Sequence, residues 1–237
     1  MQYVDGIANI SSIDKKKIFE NALNRRIHDM SMPPGSAIDE IALCKEFGLS
    51  RSPVREALRQ AAGEGYIEMA ANRAPRVSPI TADSFKRFAQ AARMLYVATA
   101  HLAATTATER NIANLQSLHK HIAIAGHAAN HQAGVLLECA LLFEIGQMAG
   151  NHYLTPSLKR LLIDHARIQG LIYRWQSVSD ATCDALWFVS HYARLIFAVE
   201  HHDTDHASST SDEIARRILE RVEAYSTSNQ MIREDAN

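Results

Sequence analysis

Arg51, Arg55 and Arg59 stand four residues apart in SRSPVREALR, so on a helix they share one face. Like charges at that spacing destabilise an isolated helix by roughly 0.2–0.5 kcal/mol per pair. Glu56 relieves only part of this if it pairs with Arg59. Guanidinium groups in a row suit one chemistry above others. They can grip phosphate oxygens, or the O6/N7 edge of guanine, through paired N–H donors. A helix fits the major groove of DNA, and its first residues are the ones that reach base edges. Ser50 and Ser52 lie at the N-terminal end of this helix, where free backbone N–H groups favour anions. Taken alone, the stripe reads equally well as a solvated charged face, so its surroundings decide. Arg73, in NRAP, is a further candidate contact at a turn. Arg25 and Arg26 could touch backbone phosphates or be plain surface charge.

Other reactive constellations are sparse. In HHDTDH, His202 and His206 have chelating i,i+4 spacing, yet they fall at an expected connection between helices, where a solvated turn is the better reading. His119, His121, His127 and His131 are expected on one helix with no carboxylate nearby in sequence, and read as surface. Trp175 and Trp187 read as core or dimer packing. The chain has no phosphate-cradling glycine loop, no Gly-x-Ser-x-Gly elbow and no His-Glu-x-x-His, which weighs against an enzyme. Cys44, Cys139 and Cys183 are scattered and odd in number, a pattern fitting a reducing cytoplasm rather than a disulfide or zinc framework. No export signal or membrane-length apolar stretch is visible.

The elements that must position the arginines are legible around them. At 237 residues and 47% hydrophobic, the chain supports one or two domains with real cores. Its formal charge is −1, so any basic footprint is local. Ile18, Phe19, Ala22, Leu23, Ile27 and Met30 recur at helical spacing, predicting a first helix over 14–30. MPPGS stops it. A second, short helix spans 38–47, with Asp39 and Glu40 at its positive end, and Gly48 breaks it. Ser52 reads as an N-cap and Pro53 as the first residue of a third helix, which buries Val54, Ala57, Leu58 and Ala61. YIEMAA and RVSPI around NRAP read as a hairpin. This order is a helix-turn-helix followed by a wing. Beyond Asp83 the pattern is helical throughout. Phe85, Phe88, Ala92, Leu95, Leu102 and Ala103 mark one long segment to about 107. Further helices are expected over 109–132, 134–149, 153–175, 179–201 and 204–226.

With those elements in place, PPGSAIDEIALCKEFGLSRSPVREALRQAAGEGYI, followed by NRAPRV, resembles the winged-helix domain of GntR-type bacterial transcription regulators. The helical half resembles the effector-binding FCD domain of the FadR-like subfamily, on RMLYVATAHLAATTAT (93–108) and ECALLFEIGQMAGN (138–151). The resemblance implies a mainly α fold, a winged helix-turn-helix followed by an all-helical bundle. The expected organisation is an N-terminal arm at 1–13, a DNA-binding domain at 14–80, a helical effector-binding and dimerisation domain at 83–226, and a tail at 227–237. It also implies a cytoplasmic homodimer on a palindromic double-stranded operator, acting as a repressor and tuned by a small acidic metabolite such as a carboxylic or sugar acid. The implied DNA contacts are Ser50, Arg51, Ser52, Arg55 and the wing turn around Asn72 and Arg73. Arg59 extends the stripe and Arg26 flanks it. Ala74 stands where the wing usually has glycine, and Ile41 where the second helix often has a basic residue.

Many members hold a divalent metal in the helical half. The implied ligand positions fall here on Glu138, Leu142, Tyr192 and Ile214, with His191 replacing Tyr192 if the alignment shifts by one. Leucine and isoleucine cannot ligate, so no metal or other cofactor is expected. Arg93, Glu138, His191 and Tyr192 could instead line an effector pocket, or Arg93 and Glu138 could simply pair as a buried salt bridge. Two alternatives stand beside the main reading. One is a helical half reduced to a dimerisation scaffold, and the other is a small-molecule enzyme.

Overall fold

The computed structural model of the chain describes residues 12–71 and 73–228, and these fall into two compact units divided between Pro79 and Ile80. The expected arm and tail lie mostly outside the described residues. At their inner edges, Ser12 already belongs to the first helix and Thr227 still belongs to the last.

In the first unit, α1 (Ser12–His28), α2 (Glu40–Phe47) and α3 (Arg51–Gly63) are followed by two short strands, β1 (Ile67–Glu68) and β2 (Arg76–Val77). The apolar periodicity read from the sequence is what packs. Phe19, Leu23 and Ile27 of α1, Leu43 of α2, and Val54, Ala57, Leu58 and Ala61 of α3 are all buried, and α3 packs against both α1 and α2. Asp39 caps α2 by accepting from the N–H groups of Ile41 and Ala42. Gly48 ends it in the left-handed region at φ +59°, where a residue without Cβ is unstrained. That makes the turn to α3 tight enough to bring the two helices together. Ser50, not Ser52, occupies the N-cap of α3, and Pro53 stands two residues inside rather than at the first position. The hairpin is shorter than expected, with Ile67 paired to Val77 and Glu68 to Arg76. Its base is fixed by the loop after α1. The Gly35 N–H donates to the Val77 carbonyl and the Val77 N–H to the Ser36 carbonyl, both at 2.9 Å.

The second unit is all helix among its described residues: α4 (Ala82–Thr106), α5 (Glu109–His127), α6 (His131–Met148), α7 (Leu154–Trp175), α8 (Val178–Glu200) and α9 (Thr204–Thr227). Local capping sets the boundaries. Thr81 with Ser84, and Thr108 with Asn111, form reciprocal capping boxes, and Asn130, Ser177 and Asp203 cap α6, α8 and α9. The break between α5 and α6 falls at residues 128–130 rather than near 133, because Asn130 caps the next helix. His127 and His131 therefore do not share a helix. No helix of the described residues is long and apolar enough to cross a membrane.

Candidate nucleic-acid interface and buried polar cluster

Burial of Val54, Ala57, Leu58 and Ala61 turns the other side of α3 outward, and Arg51, Ser52, Arg55 and Arg59 are all exposed there. The Ser50 hydroxyl caps no N–H of the first turn, so that end of the helix stays open to an external oxygen. The three arginines are not equivalent. Arg55 Nε donates to Glu40 Oε2 at 2.8 Å, and this hydrogen bond, followed by the Glu40 charge, raises its pKa. Arg51 and Arg59 make no ion pair among the described residues. Glu56 does not relieve Arg59. It pairs with Lys16 of α1 at 2.9 Å. Arg73 is exposed in the turn between the strands, and Asn72 lies outside the described residues.

Arg26 departs from the expected set. Its guanidinium is bound to the Glu46 carboxylate and lies 5.5 Å from the centre of the Phe47 ring. The hydrogen bond raises the Arg26 pKa and lowers that of Glu46. Arg26 thus joins α1 to the end of α2 instead of offering a free cation. Arg25 has a side chain 80% exposed and reaches only the Asp29 carboxylate, at 3.8 Å on its own helix end.

The four expected effector residues are not brought together. Arg93 is exposed and bound to Asp212 of α9, which settles against a pair with Glu138. His191 stacks on Trp187 with ring centres 3.5 Å apart and lies 3.6 Å from the Glu213 carboxylate, beside Arg194. Glu138 and Tyr192 point inward, at 3% and 0% exposure. Tyr192 follows Asp184 and Phe188 on the buried stripe of α8, and a one-residue shift takes His191 off that stripe.

Around Glu138 the structure places residues that sequence reasoning missed. Tyr96 of α4 bonds through its hydroxyl to Nδ1 of the buried His165 of α7 at 2.8 Å. His165 Nε2 stands 3.9 Å from Glu138 Oε2. Burial first, and then the Glu138 charge, push the Tyr173 and Tyr192 hydroxyls above the ordinary phenol range. Tyr96 is raised too, by burial above all. Further along α9, Arg221 binds Gln169, Gln176 and Asp184, and its guanidinium sits 4.2 Å from the Tyr173 ring centre. His131, read as surface, stacks on Tyr173 at 4.8 Å, and burial lowers its pKa. One signal could have found this cluster. His165 lies between Leu161, Leu162 and Ile168, and Arg221 between Ile218 and Tyr225, each a polar residue on an otherwise apolar stripe.

Residues 16–77 match the family described as bacterial regulatory proteins, gntR family. The N-terminal unit is a GntR-family helix-turn-helix domain. The whole chain is similar to the uncharacterized HTH-type transcriptional regulator YdhC of Bacillus subtilis (strain 168), at 23% identity over 204 residues, covering 86% of this chain and 79% of that protein. Its fold is that of E. coli McbR/YncC, with a TM-score of 0.77 and 17% identity over 92% of this chain and 99% of that one. A GntR transcriptional regulator from Rhodococcus sp. RHA1 also shares it, with a TM-score of 0.72 and 13% identity over 89% and 98% of the two chains. YdhC and the Rhodococcus protein are described as transcriptional regulators, and the family match in this chain is confined to residues 16–77.

The metal that GntR-type effector domains of the FCD kind hold does not fit the residues present. Leu142 and Ile214, at two of the implied ligand positions, are buried hydrocarbon side chains, and the Tyr192 phenol is held in its neutral form by burial. Among the described residues no group of three His, Cys, Asp or Glu side chains is placed to hold a metal ion.

Proposed function

We propose that the protein is a cytoplasmic homodimeric repressor that binds a palindromic operator through α3 and the wing, and that a small molecule in an FCD-type helical domain alters its affinity for DNA. The observation carrying the DNA-binding part is the open face of α3. Arg51 and Arg59 stand exposed and unpaired among the described residues at and beyond a helix end left uncapped. Two such helices on a dimer would enter adjacent major grooves about one helical turn apart. Ser50, Ser52 and Arg55 belong to the same contact face, with Asn72 and Arg73 on the wing. An effector acts on this machinery only through unequal affinity for DNA-competent and DNA-incompetent arrangements.

Fluorescence anisotropy with genomic fragments flanking the protein's own gene tests the reading. We expect salt-sensitive binding to a palindromic segment, weakened in Arg51→Ala. Failure to bind any duplex at low ionic strength overturns it.

A further inference from the structure

We propose that a second copy of this chain docks on the outer face of α4 and α9, with Ala98 of α4 beside the two-fold axis. This rests on the homodimer reading above and names the surface through which the two chains meet.

The middle of α4 is apolar on two faces. Tyr96, Thr99, Ala100 and Ala103 point into the core and are buried. On the other side, Met94, Val97, Ala98, His101 and Leu102 form a second stripe at helical spacing, along an open groove of about 770 Å³ beside α9. Met94 is 74% exposed, and Val97, Ala98 and Leu102 are only partly covered. From Met94 to the end of the helix at Thr106 there is no Asp, Glu, Lys or Arg. A helix with one face in water carries charged residues on that face, whereas one that is apolar all round is buried all round. Within the single chain nothing among the described residues closes the groove over this outer stripe.

Charge and area both favour a second copy as the occupant. A two-fold axis lays a patch against itself, so the patch must not carry a charge that repels its own image. The two charged residues lining the groove, Arg93 and Asp212, are bound to each other, and His101 is tied to Ser208 at 3.3 Å. Arg216, which does not line the groove, holds the same Asp212 carboxylate. The face is also long enough. α4 and α9 run antiparallel along each other, from Phe85 stacked on Tyr225 at one end to His101 beside Ser208 at the other. They have 25 and 24 residues. At about 1.5 Å per residue and about 10 Å per helix width, their outer face offers roughly 700 Å². A stable interface needs about 800 Å² from each partner. Ala98 lies at the middle of the stripe and is its smallest member. Two α4 helices crossing there antiparallel can come to the close end of the usual range of about 8–10 Å, and Met94 of one copy then meets Leu102 of the other.

Sedimentation velocity and thiol chemistry on the full-length protein test this. The unmodified chain should sediment as a dimer at micromolar concentration. Met94→Glu should weaken the dimer at least about tenfold, since a carboxylate would be stranded among apolar side chains. Its helical circular dichroism should be unchanged, because Met94 is exposed in the single chain. Ala98→Cys, with Cys44 and Cys183 replaced by serine, gives a second readout that decides if Met94→Glu does not fold. A short bismaleimide should join two chains at that position, and labelling by a monofunctional maleimide should quicken as the protein is diluted. Slow labelling at every concentration would mean that a segment of the same chain covers the stripe. Fast labelling at every concentration in a dimeric protein would place the interface elsewhere. Either result, or full dimerisation of folded Met94→Glu, would overturn the proposal and leave the homodimer reading standing. A chain that is monomeric at every concentration would overturn both.

Discussion

A guanidinium that already holds a carboxylate must give it up before it can grip DNA, and this separates the arginines of the first unit. Arg51 has no such partner among the described residues and lies in the first turn of α3. Arg51→Ala is expected to cost about 1–3 kcal/mol of operator binding if it reads a base edge, measured by anisotropy titration. Arg55 is held by Glu40 at 2.8 Å. Glu40→Gln should therefore tighten binding to duplexes of any sequence and steepen the dependence of log affinity on log salt by about one unit, as one more phosphate contact becomes available. Arg26 behaves differently. Its ion pair with Glu46 and its position over Phe47 serve stability, so Arg26→Ala should lower stability by up to about 1 kcal/mol in chemical denaturation and leave the salt dependence of DNA binding unchanged. The sign with pH follows from Glu46. Its pKa is depressed in the folded state, so this contribution is present above the ordinary carboxylate range and is lost as pH falls through the depressed value. The Arg26→Ala penalty should shrink in acid.

Elements were far more legible than partners. Helical periodicity and capping residues located α1 to α4 and α7 to α9 within a few residues, because both signals are local and act within one or two turns. The inward face of α3 was legible for the same reason. Arg26 and Arg93 were misplaced because their partners, Glu46 and Asp212, lie 20 and 119 residues away, and no local pattern reports such a pairing. The buried cluster was missed on the same ground, since His165 and Tyr96 meet only when α7 packs on α4. Helix contacts also make a prediction of their own. Gly146 of α6 packs so close to α7 that an added Cβ would stand 2.2 Å from Leu158 Cδ2. Leu158 is fully buried, so it cannot swing into solvent to make room. Gly146→Ala should destabilise the helical unit by about 1–3 kcal/mol, read as a lowered melting temperature. An unchanged melting temperature would mean that α6 and α7 separate more readily than their packing implies.

At the scale of the whole molecule, the charge balance leaves no general attraction to nucleic acid. The formal charge is −1, and the cationic groups that matter stand on one helix face and one turn of each chain. A single small domain with so few free cations should bind DNA weakly, because counterion release scales with the number of phosphates neutralised. Useful affinity then has to come from two such domains engaged at once, and in the proposed dimer the second binding event becomes effectively intramolecular. This argument yields a geometric prediction. Inserting five base pairs between the half-sites rotates one of them by about half a helical turn and carries it to the opposite face of the duplex. Binding should fall toward the level of an isolated half-site, and a ten-base-pair insertion, which restores the face, should recover part of the loss. Gel-shift titrations of the three spacings would read this directly. Equal affinity at all spacings would mean that each domain binds alone, and the dimer would then contribute nothing to recognition.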